Sequence, residues 1–279
     1  MFQTLIFENW GALGLLGVSL AFGLTLYAFV AGLSYYWLFV RASVRHAPDC
    51  IPGWRENRKA IRWSMLNIFG NALLILPIQL LIVFGHSRLY GPALERGWGW
   101  AAVATVGAIL FAESCIYWIH RALHTPALFR WLHRPHHRFR LPTPFVSYAF
   151  HPLDSFAQSL PYHAYMFLVP MPEAAYLALI GFASVWTLLI HDQSAWVAPK
   201  FINNAGCHTV HHWHYQYNYG NYFTFWDRIA GTYFNPNGLP ARFVAAKYDE
   251  QRQQYASGTA NDQLDLNSLI VPGTLDISG

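Results

Sequence analysis

Eight of the fourteen histidines in this 279-residue chain lie in three short segments. The segments are residues 120–124 (HRALH), 133–137 (HRPHH) and 208–212 (HTVHH). A helical spacing of i, i+3 or i, i+4 puts two imidazoles on one face about one turn apart, where they can chelate a single ion. We therefore expect the three segments to converge on metal.

Eight nitrogen donors exceed the four that one tetrahedral ion takes, but they suit two ions with positions left open for oxygen or water. Imidazole accommodates Zn, Cu, Fe or Ni, so ligand type alone does not choose the metal. Histidine at a membrane boundary could instead bind lipid phosphate or sense pH, although neither role calls for repeated helical spacing. A haem held between facing spans would use only two histidines. The H-E-x-x-H and E-x-x-H motifs of other metal sites are absent.

Composition restricts the class of protein that carries these histidines. The chain is 54% hydrophobic and only 11% charged, against about 25% charged residues in soluble proteins, so lipid is the expected solvent. The three cysteines form no C-x-x-C pair, which argues against a disulfide scaffold or a thiolate metal site. The net charge of +4 comes from basic residues that flank apolar runs, so we expect no nucleic-acid partner. No glycine-rich dinucleotide loop occurs, so electrons are expected from a separate protein.

Three apolar runs, at residues 10–40, 63–85 and 98–119, are long enough to cross a bilayer. A fourth, at 156–190, is interrupted near Pro170 and Pro172 and is predicted to be a hairpin that returns to the side it left. The predicted fold is an all-α integral membrane bundle of about four transmembrane helices, including this hairpin, with a cytosolic histidine-rich cap.

The basic residues concentrate in residues 41–62 and 121–140, so the positive-inside rule puts these loops and all three histidine segments on the cytoplasmic side. We expect three regions in this multi-pass chain: N-terminal helices (1–119), a histidine-box catalytic region (120–240) that contains the membrane hairpin, and a polar tail (241–279). The membrane would be the endoplasmic reticulum in a eukaryote or the inner membrane in a bacterium.

The order H-x3-H, H-x2-HH, H-x2-HH resembles the fatty acid hydroxylase and sterol desaturase superfamily. Within it, strings such as YWIHRALH, LHRPHH, PTPFVSYAFHPLD, CHTVHH and FTFWDRIAGTYFNP are similar to the sterol C-5 desaturases, or lathosterol oxidases. The resemblance implies a di-iron centre without haem, O2 as co-substrate, and an external electron donor such as cytochrome b5 or a ferredoxin-type protein. It implies a sterol as the lipid substrate, with two hydrogens removed from the B ring of a Δ7 sterol.

The resemblance also implies a ligand set, with no catalytic residue beyond the metal centre and no other cofactor-binding residue. A ninth histidine, His191, occupies a position that the family shares. The implied metal ligands are His120, His124, His133, His136, His137, His191, His208, His211 and His212.

Oxidation of an unactivated C–H bond requires a redox metal, which favours iron over zinc or magnesium. Loss of a second hydrogen would give a double bond and hydroxyl rebound would give an alcohol, so desaturation and hydroxylation both stay open. The alternatives are a hydroxylase or desaturase of a fatty acyl chain, carotenoid or terpenoid, and a non-catalytic metal-binding membrane protein.

Several other polar residues are candidates to support the histidines. Asp154, Asp192 and Asp227 could orient imidazoles through their second nitrogens, although a salt bridge with Arg228 or a helix cap is an alternative for Asp227. His151 could be a ligand or an outer contact. The chain departs from the superfamily pattern at Tyr148, where histidine is common, and at Gln193, where glycine is common. Both substitutions are expected to reshape the substrate cavity. The aromatic run from Trp213 to Trp226 could border a flat apolar substrate or form an interfacial belt.

Overall fold

The computed structural model describes residues 2–41, 52–140, 142–192 and 200–235. Within these ranges the chain is predominantly helical, and the expected all-α membrane bundle is confirmed. The main helices are α1 (Phe2–Leu26), α2 (Trp54–Val83), α3 (Trp98–Leu123), α4 (Pro152–Leu168), α5 (Glu173–Leu189), α6 (Ala205–Trp213) and α7 (Phe225–Ile229). Shorter helical turns are Tyr27–Ala31, Gly32–Tyr35, Tyr36–Arg41, Ala93–Arg96, Pro126–Leu128, Phe129–His133, Arg134–His137 and Pro144–Val146.

In the described part of the chain, three helices are long and apolar enough to cross a membrane: Phe2–Arg41, Trp54–Val83 and Trp98–Leu123. Even the shortest has 26 residues, and at about 1.5 Å per residue it exceeds the roughly 30 Å hydrocarbon core. Each contains the corresponding apolar run of the sequence, apart from the last two residues of the second run. The first span is not one regular helix. Gly11 adopts a positive φ of 61°, which a glycine tolerates and which breaks the helix there.

Helices α4 and α5 form a hairpin whose arms have 17 residues each, about 25 Å and therefore short for a full crossing. The turn between them is held by a two-residue parallel ladder, in which Met171–Pro172 pairs with Leu89–Tyr90 from the loop between α2 and α3. The opposite ends of both arms lie at the histidines, because Asp154 contacts His133 and His191 contacts His136. The hairpin thus returns to the end of the bundle that it left.

Small residues allow the helices to approach closely, as is usual where lipid provides no hydrophobic drive for association. Ala104, Ala108 and Ala112 form a buried stripe on α3 that packs against α4 and α5. Gly70 on α2 meets the ring of Pro152 at the start of α4, so closely that a side chain at position 70 would collide with it. This contact fixes where the start of α4 lies along α2.

Two buried carboxylates in the bundle accept hydrogen bonds from backbone amides. Glu113 on α3 accepts hydrogen bonds from the N–H groups of Tyr222, at 2.7 Å, and Phe223, at 3.3 Å. Glu173 accepts from the N–H groups of Phe2 and Gln3 at the start of α1, at 2.7 and 3.3 Å. Buried amides without acceptors are costly, so both acids stabilise the fold. The start of α1 therefore lies beside the turn of the hairpin, opposite the histidines.

Candidate metal centre

The structure brings nine buried or half-buried histidines together in two groups at one end of the bundle. In each group the potential ligand atoms lie within 4.8 Å of one another, a spacing that could hold a metal ion. Group 1 consists of His120, His124, His133, His137 and His211, and group 2 of His136, His191, His208 and His212. These are the nine residues that the sequence nominates as ligands, His191 included.

The groups do not follow the sequence motifs, because two of the three motifs are divided between them. On α6, His208 and His212 are four residues apart, share one face and belong to group 2, whereas His211 belongs to group 1. The turn at residues 133–137 is divided in the same way, with His136 in group 2 and its neighbours in group 1. Only His120 and His124, at the end of α3, belong to the same group. The short helix Arg134–His137 and helix α6 therefore each contribute ligands to both groups.

Hydrogen bonds at the outer nitrogens fix the tautomers of His120 and His133 in group 1. Nδ1 of His120 lies 2.9 Å from the carbonyl oxygen of Tyr219, and Nδ1 of His133 lies 2.7 Å from Oδ2 of Asp154. Because both oxygens accept, each Nδ1 carries the proton and each Nε2 presents a lone pair. Those two Nε2 atoms are only 3.1 Å apart, and Nε2 of His137 is 3.0 Å from that of His133.

Group 2 repeats this arrangement around His191. Its Nδ1 donates to the carbonyl of Thr187 at 2.7 Å, so its Nε2 also presents a lone pair. That Nε2 lies 2.9 Å from Nε2 of His208 and 3.3 Å from Nε2 of His136. Nε2 of His212 completes the group, 3.2 Å from that of His208.

This donor set fits metal ions. Two nitrogens bound at 2.0–2.1 Å and separated by 90–110° would be about 2.9–3.4 Å apart, and the Nε2 pairs given above lie at 2.9–3.3 Å. The Nε2 lone pairs of His120 and His133 face each other at 3.1 Å and repel, and a shared cation removes that repulsion. Nε2 of His124 and of His211 are in addition buried without a hydrogen-bond partner. Buried polar atoms of this kind need a partner, which a cation would supply.

Burial also keeps the imidazoles in the form that binds metal. Removal from water, reinforced by neighbouring imidazoles, lowers the pKa values of His124, His136, His137, His208, His211 and His212 well below the ordinary value. Burial alone lowers the pKa of His191 to about 4. These side chains are neutral at pH 7, as metal ligation requires.

The three candidate aspartates take different positions. Asp154 contacts an imidazole as expected, and its other carboxylate oxygen accepts from Nε2 of Gln158 at 2.8 Å. Asp227 instead accepts from the amides of Tyr219, at 2.8 Å, and Gly220, at 2.9 Å. Of the roles that the sequence left open for Asp227, the contact with an imidazole is not the one that the structure shows. Asp227 holds the loop that contains Tyr219, and the carbonyl of Tyr219 accepts the hydrogen bond from Nδ1 of His120. Asp192 is buried, and its role stays a prediction.

Other candidates lie outside the two groups. His151 begins α4, where its Nδ1 accepts the Leu153 amide at 3.2 Å, so it is a helix cap and neither a ligand nor an imidazole partner. His163 bonds through Nδ1 to the hydroxyl of Tyr176 at 2.8 Å, along the hairpin and away from the histidine groups. From the aromatic run, the rings of Tyr215 and Tyr219 pack against histidines of group 1.

A cavity of about 530 Å³ runs along the bundle from the histidines to the start of α1. His136, His191 and His208 line one end, and Phe2 and Gln3 line the other. The wall between is mostly apolar and comes from α1, α2, α4 and α5. The cavity is large enough for a lipid, and it opens onto both groups, since His120 also lines it.

Tyr148 lines this cavity, stacks on Tyr27 with ring centroids 5.6 Å apart, and reaches the carbonyl of Ser184 at 3.4 Å. The expected effect of Tyr148 on cavity shape is consistent with this position, whereas Gln193 lies outside the described residues. Three polar residues of the wall on α2 were not predicted from the sequence: Asn67, Asn71 and Gln79. These residues are four and eight positions apart, which puts them on one face of an apolar span, and this pattern could have predicted a polar strip in the cavity wall.

The comparisons with known proteins agree with this centre. The family model for fatty acid hydroxylases matches residues 105–232, which contain all nine histidines. Human lathosterol oxidase is 37% identical over 265 residues, covering 91% of this chain and 87% of the relative. This chain belongs to the fatty acid hydroxylase family.

Fungal members of the fatty acid hydroxylase family are also similar to this chain. A Delta(7)-sterol 5(6)-desaturase of Aspergillus fumigatus is 43% identical over 218 residues, 78% of this chain and 64% of the relative. One from Leptosphaeria maculans is 40% identical over 236 residues, 82% of this chain and 65% of the relative. The chain thus spans slightly less than two thirds of these two proteins. No solved structure gives a significant match.

Proposed function

We propose that this chain is a membrane-bound di-iron oxygenase without haem that introduces the C5–C6 double bond into a Δ7 sterol. The observation that carries the proposal is the arrangement of two groups of inward-facing imidazoles at one end of an apolar cavity. The names of the relatives, Delta(7)-sterol 5(6)-desaturase and lathosterol oxidase, support the choice of sterol and bond.

In this proposal the five histidines of group 1 hold one iron and the four of group 2 hold the other. Iron, when bound, supplies the redox chemistry by which O2 removes hydrogen from an unactivated C–H bond, which neither zinc nor magnesium supplies. Because the relatives are named as desaturases and an oxidase, iron is the metal that we infer among those that imidazole binds.

The protein's own groups position both reactants. The carbonyls of Thr187 and Tyr219 and the carboxylate of Asp154 hold three imidazoles with their lone pairs inward, so little rearrangement is needed on metal binding. The ring of Phe150 stacks on His136 at 3.8 Å and gives the centre an apolar border toward the cavity. The cavity wall would hold the substrate in one position against the centre, and that position decides between loss of a second hydrogen and hydroxyl rebound.

Electrons would come from a separate protein of the cytochrome b5 or ferredoxin type, because the sequence has no nucleotide-binding loop. The basic residues between Arg121 and Arg140 flank the histidine end, which we assign to the cytoplasmic side. The host membrane would be the endoplasmic reticulum in a eukaryote or the inner membrane in a bacterium.

A hydroxylase or desaturase of another lipid is the second candidate, and Tyr148 in the cavity wall is the observation that favours it. The same metal centre would serve both reactions, and the cavity would decide between substrates. A fatty acyl chain, a carotenoid or a terpenoid would then replace the sterol.

Reconstitution with substrate tests the proposal. The purified 279-residue chain, loaded with iron and given O2, a reducing partner and a Δ7 sterol, is expected to form the 5,7-diene, detected by mass spectrometry. The matched control is the His136→Ala variant, which is expected to form none. If the iron-loaded chain leaves the sterol unchanged but hydroxylates another lipid, the second candidate replaces the first. Stable zinc with no turnover after iron loading would overturn both.

A further inference from the structure

Three large apolar side chains on and beside α7 are exposed. Phe225 and Ile229 are four residues apart on this helix and share one face, and the carbonyl of Phe201 accepts the amide of Thr224 at the helix start, at 3.0 Å. The exposed fractions are 62% for Phe201, 55% for Phe225 and 63% for Ile229. Asp227, on the opposite face of α7, is completely buried. The apolar face of the helix therefore points away from the protein.

Contacts with α3 show how deep α7 lies in the bilayer. The indole N–H of Trp226 donates to Oγ of Ser114 at 3.1 Å. The ring of Trp226 also contacts the rings of Tyr117 and Trp118, with centroids 6.1 and 5.7 Å apart. Ser114 is about 24 Å along α3 from Trp98, which is within the roughly 30 Å hydrocarbon core. Helix α7 therefore packs against the part of α3 that crosses the lipid.

Aromatic side chains mark the two ends of this span. Trp98 and Trp118 are both exposed, and they are about 30 Å apart along the helix, which matches the hydrocarbon thickness. Tryptophan is enriched at the two membrane–water interfaces. The guanidinium of Arg121 lies 5.7 Å from the centre of the Trp118 ring, on the side away from the core of the span. The membrane surface thus crosses α3 near Trp118, which is the level of α7.

The surroundings of the exposed face fit lipid better than a protein partner. The face continues the lipid-facing surface of α3, because Trp226 of α7 packs on the exposed Trp118. Two exposed basic residues, Lys200 and Arg228, border the apolar side chains, and Nη2 of Arg228 donates to the carbonyl of Lys200 at 3.0 Å. Apolar side chains bordered by Lys and Arg are typical of helices that lie in the membrane interface.

We propose that Phe201, Phe225 and Ile229 form an anchor that is inserted in the membrane leaflet at the histidine end of the bundle. Neither the three spans nor the hairpin includes these residues. The anchor therefore adds a further contact with the bilayer, from a region that the sequence assigned to a cytosolic cap. The inference does not depend on which reaction the metal centre performs.

The anchor is connected to the metal centre through Asp227. The carboxylate of this residue accepts the amides of Tyr219 and Gly220, and the carbonyl of Tyr219 accepts from Nδ1 of His120. The anchored helix thus holds the loop that orients a histidine of group 1. Insertion of α7 in the leaflet would therefore keep group 1 near the membrane surface, where a lipid substrate is found.

The test measures whether lipid or water surrounds each position. The variants Phe201→Cys, Phe225→Cys and Ile229→Cys are made in a chain in which Cys50 and Cys115 are replaced by serine and the buried Cys207 is kept. Each is labelled with the fluorophore NBD, loaded with iron and placed in lipid nanodiscs. Val103→Cys, exposed in the middle of α3, is the control for lipid, and Glu95→Cys, exposed in the loop before α3, is the control for water.

Lipids with a nitroxide on the acyl chain are expected to quench the labels at positions 225 and 229 to at least about half the extent seen at position 103. Iodide in the water should quench them about 5-fold less than the label at position 95, and the label at position 201 should behave in the same way.

Weaker lipid quenching at both helix positions overturns the inference. If iodide quenches these labels instead, the face is free in water; if neither quencher reaches them, protein such as a second copy of the chain covers the face. Should the label at one position lower the iron content, the labels at the other two decide. Failure of the chain to convert a sterol has no bearing on these measurements.

Discussion

Nδ1 of His133 lies 2.7 Å from Oδ2 of Asp154, and both side chains are completely buried. The pair connects the second histidine segment to the hairpin, because His133 precedes the short helix Arg134–His137 and Asp154 lies in the first turn of α4. The carboxylate therefore orients an imidazole of group 1 and also holds the hairpin against the metal centre.

Replacing Asp154 is expected to weaken metal binding with the nine histidines intact. Asp154→Leu removes the acceptor of His133 and should lower the affinity for iron about 10–100-fold, measured by competition with a chelator. Gln158→Leu, which removes only the amide that supports Asp154, is the control and should have a much smaller effect. Unchanged iron affinity in Asp154→Leu would contradict the assigned role.

His136 and His151 are expected to respond differently to the same substitution. His136→Ala should abolish diene formation and lower the iron content, because it removes a donor from the smaller group. His151→Ala removes a helix cap and should cost about 1 kcal/mol of stability while iron content is retained. Iron analysis and thermal unfolding of the two variants provide the comparison. Full iron content and turnover in His136→Ala would refute its role as a ligand.

Glu113 is expected to stabilise the protein through the loop that it holds. Glu113→Leu leaves the amides of Tyr222 and Phe223 without an acceptor and should lower the free energy of unfolding by about 1–3 kcal/mol. Glu113→Gln keeps an acceptor oxygen and should lie closer to the unchanged chain. Unfolding in detergent measures both variants, and equal losses would show that the charge matters more than the hydrogen bonds.

The thiol of Cys207 should resist alkylation in the folded chain. Burial raises its pKa to about 11, so at pH 8.5 it is almost entirely neutral, and only 1% of the residue is exposed. With Cys50 and Cys115 replaced by serine, iodoacetamide should label Cys207 only after unfolding, as followed by mass spectrometry. Rapid labelling of the folded protein would mean that α6 is less tightly packed than described.

Eight of the nine candidate ligands could be predicted from local spacing, because a helix converts i, i+3 and i, i+4 positions into neighbouring donors. His191 has no histidine near it in the sequence, and only the family resemblance nominated it. The division of the ligands into two groups could not be predicted. Whether His211 or His212 faces a given ion depends on how α6 is rotated against α3, which is a tertiary property. The role of Asp227 stayed open for a similar reason, since the sequence does not show that the Tyr219 carbonyl occupies Nδ1 of His120 while Asp227 accepts from backbone amides.

The spans were predictable from length and hydropathy, and the hairpin from its interrupting prolines. The break at Gly11 was not, because a glycine inside an apolar run is compatible with a continuous helix.

Because His208 and His212 face group 2 while His211 faces group 1, helix α6 couples the two groups mechanically. A rotation of this helix moves donors of both groups at once. A change that moves α6 is therefore expected to alter metal binding at both groups together.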